Sequence, residues 1–231
     1  MVERHFDEQM QVLNSDILKM AAMVEDSIQK SIEALKKQDK LLAKAVIDND
    51  RKIDELELDI EAHTIDMLAL HQPMARDLRF VLTTGIKLNA ELERIADLSV
   101  NICQRVLELA DAPLLKPLID IPKLSDLAKK MVKNAIDAFV RRDEDIAKEV
   151  ILSDTQADKL RNLVQEELVN DYMVKDGSCA PRAVPLLLIA RHLERICDHA
   201  SYIATDVIYM IKARNVKHHL EQLKDNGASN K

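Results

Sequence analysis

The chain has 231 residues, enough for one large domain or two small ones with a buried core. Apolar residues make up 47% and charged residues 32%, the balance of a globular chain rather than a disordered one. A net charge of -7 with no basic block argues against nucleic acid, and against an anionic membrane surface, as the main partner.

Only 3 Gly and 6 Pro leave little material for the tight turns of a sheet protein, and Trp is absent. Long helices with an aliphatic core are expected. The three cysteines, Cys103, Cys179 and Cys197, are odd in number and show no C-x-x-C spacing, which fits a reducing compartment. Met1 to Met10 carries Glu3, Asp7 and Glu8 and has no apolar run, so a secretory leader is not expected there. No stretch approaches ~18 consecutive apolar residues. A soluble, cytoplasmic protein is expected.

In chain order, the first helix is predicted from about Asn14 to Lys37, with Met20, Met23, Val24, Ser27, Ile28, Ser31 and Leu35 on one side. Asp39 reads as the N-cap of a second helix ending near His71. Pro73 is placed at the start of a third, which runs to about Asp111. Pro113, Pro117 and Pro122 then mark a linker. A fourth helix is predicted from Pro122 to Arg141. Asp143 caps a fifth that reaches Val174, and Asp176-Gly177-Ser178 forms a turn. A sixth begins between Pro181 and Pro185 and reaches about Arg214.

Three helices, a linker and three helices invite a search for repeats. Ser31 to Leu56 aligns with Ala135 to Leu160 at an offset of 104, with ten identities in 26 positions, among them Asp39/Asp143, Asp50/Asp154 and Asp54/Asp158. At an offset of 101, Leu92-Glu93-Arg94-Ile95-Ala96-Asp97 lies on Leu193-Glu194-Arg195-Ile196-Cys197-Asp198. The expected fold is therefore all-α: two tandem, internally duplicated three-helix bundles. The first repeat is placed at 1–112, the linker at 113–122, the second repeat at 123–219 and a polar tail at 220–231.

The duplication selects among the acids. Glu55/Asp59 and Glu57/Glu61 are not repeated, because their counterparts are Lys159/Leu163 and Arg161/Gln165. Asp50/Asp54 recurs as Asp154/Asp158, and Glu93/Asp97 recurs as Glu194/Asp198. Residues four apart share a helix face with Cβ atoms roughly 5–6 Å apart, so each pair repels. Ala43 and Ile47 lead into Asp50, and Leu82, Ile86 and Ala90 lead into Glu93, so both pairs continue apolar stripes. Two partners could offset such acids. One is a hard cation such as Mg²⁺, Mn²⁺, Ca²⁺ or iron, for which all-oxygen ligands are suited. The other is arginine, since Arg94 and Arg195 can reach i+3 to Asp97 and Asp198. His199 and Cys197 lie beside Asp198 but have no duplicated counterpart, and read as packing residues before ligands.

Enzyme signatures are missing. There is no Gly-rich phosphate loop, no G-x-S-x-G and no H-E-x-x-H. The Glu-x-x-His of di-iron bundles is also missing. A metal-carboxylate enzyme or metal-storage bundle is the alternative reading.

Asn49 to Glu57, the run Gln72-Pro73-Met74-Ala75-Arg76-Asp77-Leu78-Arg79, and the paired E-R-I-x-D segments at Glu93 and Glu194 together resemble the PhoU family. The likeness spans about Met10 to His219. It implies two tandem three-helix bundles and a homodimer. It also implies an accessory role that silences the phosphate-starvation response, with a phosphate-sensing histidine kinase and the ATPase subunit of the phosphate ABC transporter as partners. Membrane association is implied only through those partners. The family's E/D-x-x-x-D motifs, reported to carry metal ions or clusters, map onto Asp50/Asp54, Glu93/Asp97, Asp154/Asp158 and Glu194/Asp198. Iron, zinc, magnesium and manganese are the candidate ions. Ala96 and Cys197 stand where the family often has Gly, and Leu98 where it often has His, which leaves the nuclearity open.

Overall fold

A computed structural model describes residues 2–214, and among them there is no strand. The helices are α1 (Val2–Lys37), α2 (Lys40–His71), α3 (Ala75–Leu82), α4 (Asn89–Leu109), α5 (Asp120–Arg141), α6 (Glu144–Glu166) and α7 (Ala180–Lys212). A π-helical segment, π1 (Thr83–Leu88), joins α3 to α4, and a second, π2 (Glu167–Met173), extends α6. With these joins the described chain forms the six long rods expected. The polar tail at 220–231 lies outside the described residues.

The boundaries differ from expectation at several ends. The first helix starts at Val2 rather than Asn14. Phe6 and Met10 continue the apolar stripe through Leu13 and Ile17 and pack against the core, which favours helix there. Pro73 precedes the third rod instead of opening it. Gln72 takes a left-handed conformation (φ 45°), and Met74 is extended before Ala75 begins the helix. α5 starts at Asp120, so Pro122 sits in its first turn, where a missing N–H costs nothing. Pro113 and Pro117 fall in the non-helical stretch before Asp120, while Pro185 lies inside α7.

The turn between the first and second helices of each repeat is built twice. Gln38 (φ 51°) and Arg142 (φ 53°), 104 residues apart, both take the left-handed conformation that closes a helix. The Asp39 amide donates to Ala34 O at 2.9 Å and the Asp143 amide to Ala138 O at 3.0 Å. Each aspartate then accepts two amides of the next helix: Leu41 and Leu42 for Asp39, Asp145 and Ile146 for Asp143. Such caps contribute about 1 kcal/mol each. Gln38 also donates to the Leu109 and Ala112 carbonyls at 3.2 and 2.7 Å, tying this turn to the end of α4. That gives a side chain a use at a position where glycine is the usual residue.

Packing is helix on helix around one aliphatic core shared by both repeats. α1, α2 and α4 pack together, as do α5, α6 and α7, and α4 lies against α7 where the two repeats meet. Ile53, Ile60, Leu92, Ile95 and Ile102 are fully buried in one half, and Leu186, Leu193 and Ile196 in the other. Several buried small polar residues are satisfied by carbonyls of their own helix, though the hydroxyls of Thr83, Thr84 and Ser125 find no partner. Ser27 donates to Met23 O, Ser99 to Ile95 O and Thr205 to Ser201 O. Three polar contacts cross between the repeats, one of them Lys129 Nζ donating to Gln29 Oε1 at 2.8 Å. His199 Nδ1 meets Glu91 Oε2 at 2.5 Å, and Lys87 Nζ reaches Asp206 Oδ1 at 2.5 Å beneath the Tyr209 ring.

The connection before α5 is pinned by charge. Lys116, whose side chain is 3% exposed, pairs with Glu167 at the start of π2. Glu167→Gln would leave a buried ammonium without a counter-charge, a change that usually costs about 3–5 kcal/mol. Glu167 itself is one-third open to water (34%), which moderates the loss. A drop of roughly 2 kcal/mol in urea-denaturation stability is expected. A smaller drop is expected for Lys116→Met, which removes the charge that needs solvating.

Candidate functional site

α2 packs on α4, and α6 on α7, so each repeat brings its two acid pairs together. In the first repeat the groups act on one another across the helix pair. Asp50 is pushed up to about 6, mainly by burial and then by the charges of Asp54 and Asp97. Glu93 is pushed up to about 7, by burial first, then by Asp97 and Glu57, with Asp54 adding to it and Arg94 opposing. In the second repeat Asp198 is raised to about 6 by burial and then by Glu194, Asp154 and Asp158. Asp154 and Glu194 are also raised, with burial the largest cause in both. Each constellation has a half-buried inner part (Asp50 and Glu93; Asp154, Glu194 and Asp198) and an exposed outer part (Asp54 and Asp97; Asp158).

All eight acids selected from the sequence thus lie in two sites at equivalent places in the repeats. Among the described residues no three His, Cys, Asp or Glu side chains close round a single point as a ligand set. The chemistry of the donors still suits a hard cation: carboxylates predominate, and their raised proton affinities mark places short of positive charge. In the first repeat a buried amide oxygen, Asn89 Oδ1, has no hydrogen-bond partner. Asn89 is 2% exposed and lies one turn before Glu93, with its Nδ2 donating to Glu57 O at 2.9 Å.

Arginine compensation takes a different route from the one the spacing suggested. Among the described residues neither Arg94 with Asp97 nor Arg195 with Asp198 forms an ion pair. Instead Arg161, on α6, approaches Glu194 Oε1 at 3.6 Å. Its counterpart in the first repeat is Glu57, which adds negative charge around Glu93. The two sites therefore share a carboxylate frame but differ in sign one turn along the same face. Glu57 and Arg161 were set aside in the sequence because the pair they belong to is not repeated. The signal that would have found them is distance along the helix: each lies seven residues after the inner Asp, on the same face. His199 is 6% exposed and held by Glu91, and Cys197 is fully buried with its thiol pushed up by burial, so both serve packing.

Two tandem three-helix units, each carrying a half-buried carboxylate constellation between its second and third rods, define a duplicated acidic helical-bundle protein. The model of the PhoU domain matches residues 17–106 and again 121–207, one copy per repeat. The chain belongs to the PhoU family. It is 39% identical over 221 residues to the phosphate-specific transport system accessory protein PhoU homolog of Aquifex aeolicus, covering 95% of this chain and 98% of that one. It is 33% identical over 218 residues to PhoU homolog 1 of Thermotoga maritima, covering 94% and 93%. The crystal structure of PhoU from Pseudomonas aeruginosa superposes with a TM-score of 0.87 at 31% identity, covering 90% of this chain and all (100%) of that one. The phosphate transport system regulatory protein PhoU from Streptococcus pneumoniae gives 0.84 at 26% identity, with 91% and 99% covered. Both expectations drawn from the sequence, the family and the all-α duplicated fold, hold.

Proposed function

We propose that this chain is a non-catalytic regulatory adaptor of phosphate homeostasis. It restrains phosphate uptake and silences the starvation response when phosphate is plentiful. It does so by contact with a phosphate-sensing histidine kinase and the ATPase subunit of a phosphate transporter, in the cytoplasm and as a homodimer. The observation that carries this reading is membership of a family whose relatives are named as accessory and regulatory proteins of phosphate transport, along nearly the whole chain. Among the described residues no helix is long and apolar enough to cross a membrane, so any membrane attachment there would run through partners.

The same reading gives the carboxylate constellations a role. Asp50, Asp54, Glu93 and Asp97 in one repeat, and Asp154, Asp158, Glu194 and Asp198 in the other, bind metal ions. Iron, zinc, magnesium and manganese are the candidates. The ions neutralise the acids and set the spacing of the second and third rods, and hence the partner surface.

The test is genetic and biochemical together. In cells lacking the chain, a phosphate-starvation reporter is expected to stay on in replete medium, and the wild-type chain is expected to switch it off. Pull-down from phosphate-replete cells should recover the kinase and the ATPase subunit. A reporter that ignores the chain, with neither protein recovered, would refute the adaptor role. Bound iron that turns over oxidatively would instead favour a metal-carboxylate enzyme or storage bundle.

A further inference from the structure

A cavity of about 580 Å³ lies beside the carboxylate site of the second repeat. Arg161, Arg191 and Arg195 line it together with Gln165, Glu194 and Asp198. Three guanidiniums, one from α6 and two from α7, gather round one cavity in a chain of net charge -7. Among the described residues, Arg191 and Arg195 make no ion pair, and the Arg161–Glu194 approach, at 3.6 Å, is longer than a hydrogen bond. The donors are therefore available. Guanidinium groups bind tetrahedral oxyanions through parallel N–H bonds, and three around one cavity match a phosphate rather than a single carboxylate.

The first repeat supplies the internal comparison. At the corresponding positions it has Glu57 for Arg161, Glu61 for Gln165, Ala90 for Arg191 and Arg94 for Arg195. The carboxylate frame is common to both halves, and the arginine wall is not. Charge then decides when an anion can enter. In the second repeat the four carboxylates Asp154, Asp158, Glu194 and Asp198 outnumber the three arginines by one, so the bare site repels an anion. One divalent cation on Glu194 and Asp198 reverses that sign. In the first repeat Asp50, Asp54, Glu57, Glu93 and Asp97 face Arg94 alone, and one divalent ion leaves the site negative.

We propose that the cavity of the second repeat is an oxyanion site that fills only when the neighbouring cation is bound. Arg161, Arg191, Arg195 and Gln165 would hold a phosphate group, beside the divalent ion that Glu194 and Asp198 would hold. This rests on the proposed cation binding, and it gives the two repeats different tasks: a cation site in the first and a joint cation–phosphate site in the second. The phosphate group could come free in solution or as part of a nucleotide. By linkage, anion and cation each raise the other's affinity by the same factor.

The test uses the full chain with Mn²⁺ as the cation and radiolabelled inorganic phosphate as the anion. Mn²⁺ binding is followed by the EPR signal of the free ion and phosphate by equilibrium dialysis, so that cation binding is read independently of anion binding. Phosphate is expected to bind with Mn²⁺ present and to be released by chelator. Saturating phosphate should tighten Mn²⁺ at one site about fivefold or more. Arg191→Gln/Arg195→Gln, two exposed positions on α7, should weaken phosphate about tenfold or more while both Mn²⁺ ions still bind. Glu93→Gln should lose first-repeat Mn²⁺ and keep phosphate. Displacement of the label by ATP at lower concentration than by phosphate would support the site with a nucleotide as its source. Mn²⁺ bound without phosphate, or phosphate retained in the arginine variant, would overturn the joint site and leave the cation reading standing. No Mn²⁺ at either site would overturn both.

Discussion

Gly85→Ala is expected to be among the most damaging single substitutions in the protein. Gly85 lies in π1, where the third rod passes close to α2. A Cβ placed there would fall 1.8 Å from Thr64 Oγ1 and 2.8 Å from Thr64 Cβ and Cγ2. Thr64 cannot swing away easily, because it is fully buried and its hydroxyl donates to Ile60 O at 2.7 Å. The extra methyl would force the two rods apart next to Asn89 and Glu57. Overpacking commonly costs about 1–3 kcal/mol; a clash with both atoms of a β-branched side chain belongs at or above the top of that range. A loss of about 4 kcal/mol in denaturant titration, or failure to fold, is expected. Thr64→Ala in the same chain should recover only part of it, since the Thr64 Cβ contact at 2.8 Å remains. A wild-type-like Gly85→Ala protein would show that the close approach is not needed to hold the rods in place.

That contact marks the limit of what the sequence could tell. Regular features were legible because they repeat or follow a fixed period. Asp39 and Asp143 were read as caps from their place before periodic apolar runs, and both accept two amides. The acid pairs were picked out because the same offset that aligns the caps aligns them too. The π segments follow neither rule. A π turn inserts one residue without changing composition, so Thr83–Leu88 reads as ordinary helix. Its one visible trace is Thr83-Thr84-Gly85, three buried small residues in a chain with almost no glycine. The position of Thr84 in the other repeat is held by Pro185, which also interrupts helical hydrogen bonding. The first repeat thus widens its third rod into a π segment at this level, while α7 runs through Pro185 as one continuous α-helix. Glu57 and Arg161 escaped for the opposite reason. Retention in both repeats was the filter, and their value lies in having diverged.

The carboxylate sites set a pH dependence whose sign can be worked out. Asp50 and Asp198, ordinarily near 3.8, are raised to about 6, and Glu93, ordinarily near 4.5, to about 7. An acid whose folded value lies above its unfolded one binds its proton more tightly when folded. Its stabilising share is complete below about pH 4 and is lost as pH rises through 6 to 7. Metal-free protein is therefore expected to lose stability between pH 5 and 7.5, on the order of 2 kcal/mol in total, because water and salt reach these groups and screen them. A divalent cation at the proposed sites takes the place of those protons. With Mn²⁺ at a hundred times its dissociation constant, each site adds about 2.7 kcal/mol, and binding releases protons near pH 6–7. Thermal melts from pH 5 to 8 should then fall with pH in chelator and stay level or rise in Mn²⁺. Glu93→Gln should make the chelator curve shallower, since a neutral amide at that position has no charge to bury, while Asp50 and Asp198 still titrate. It should also forfeit about half of the Mn²⁺ gain. Parallel curves with and without Mn²⁺ would mean that the acids are compensated by protons and by Arg161 alone, and that the rods are spaced without an ion.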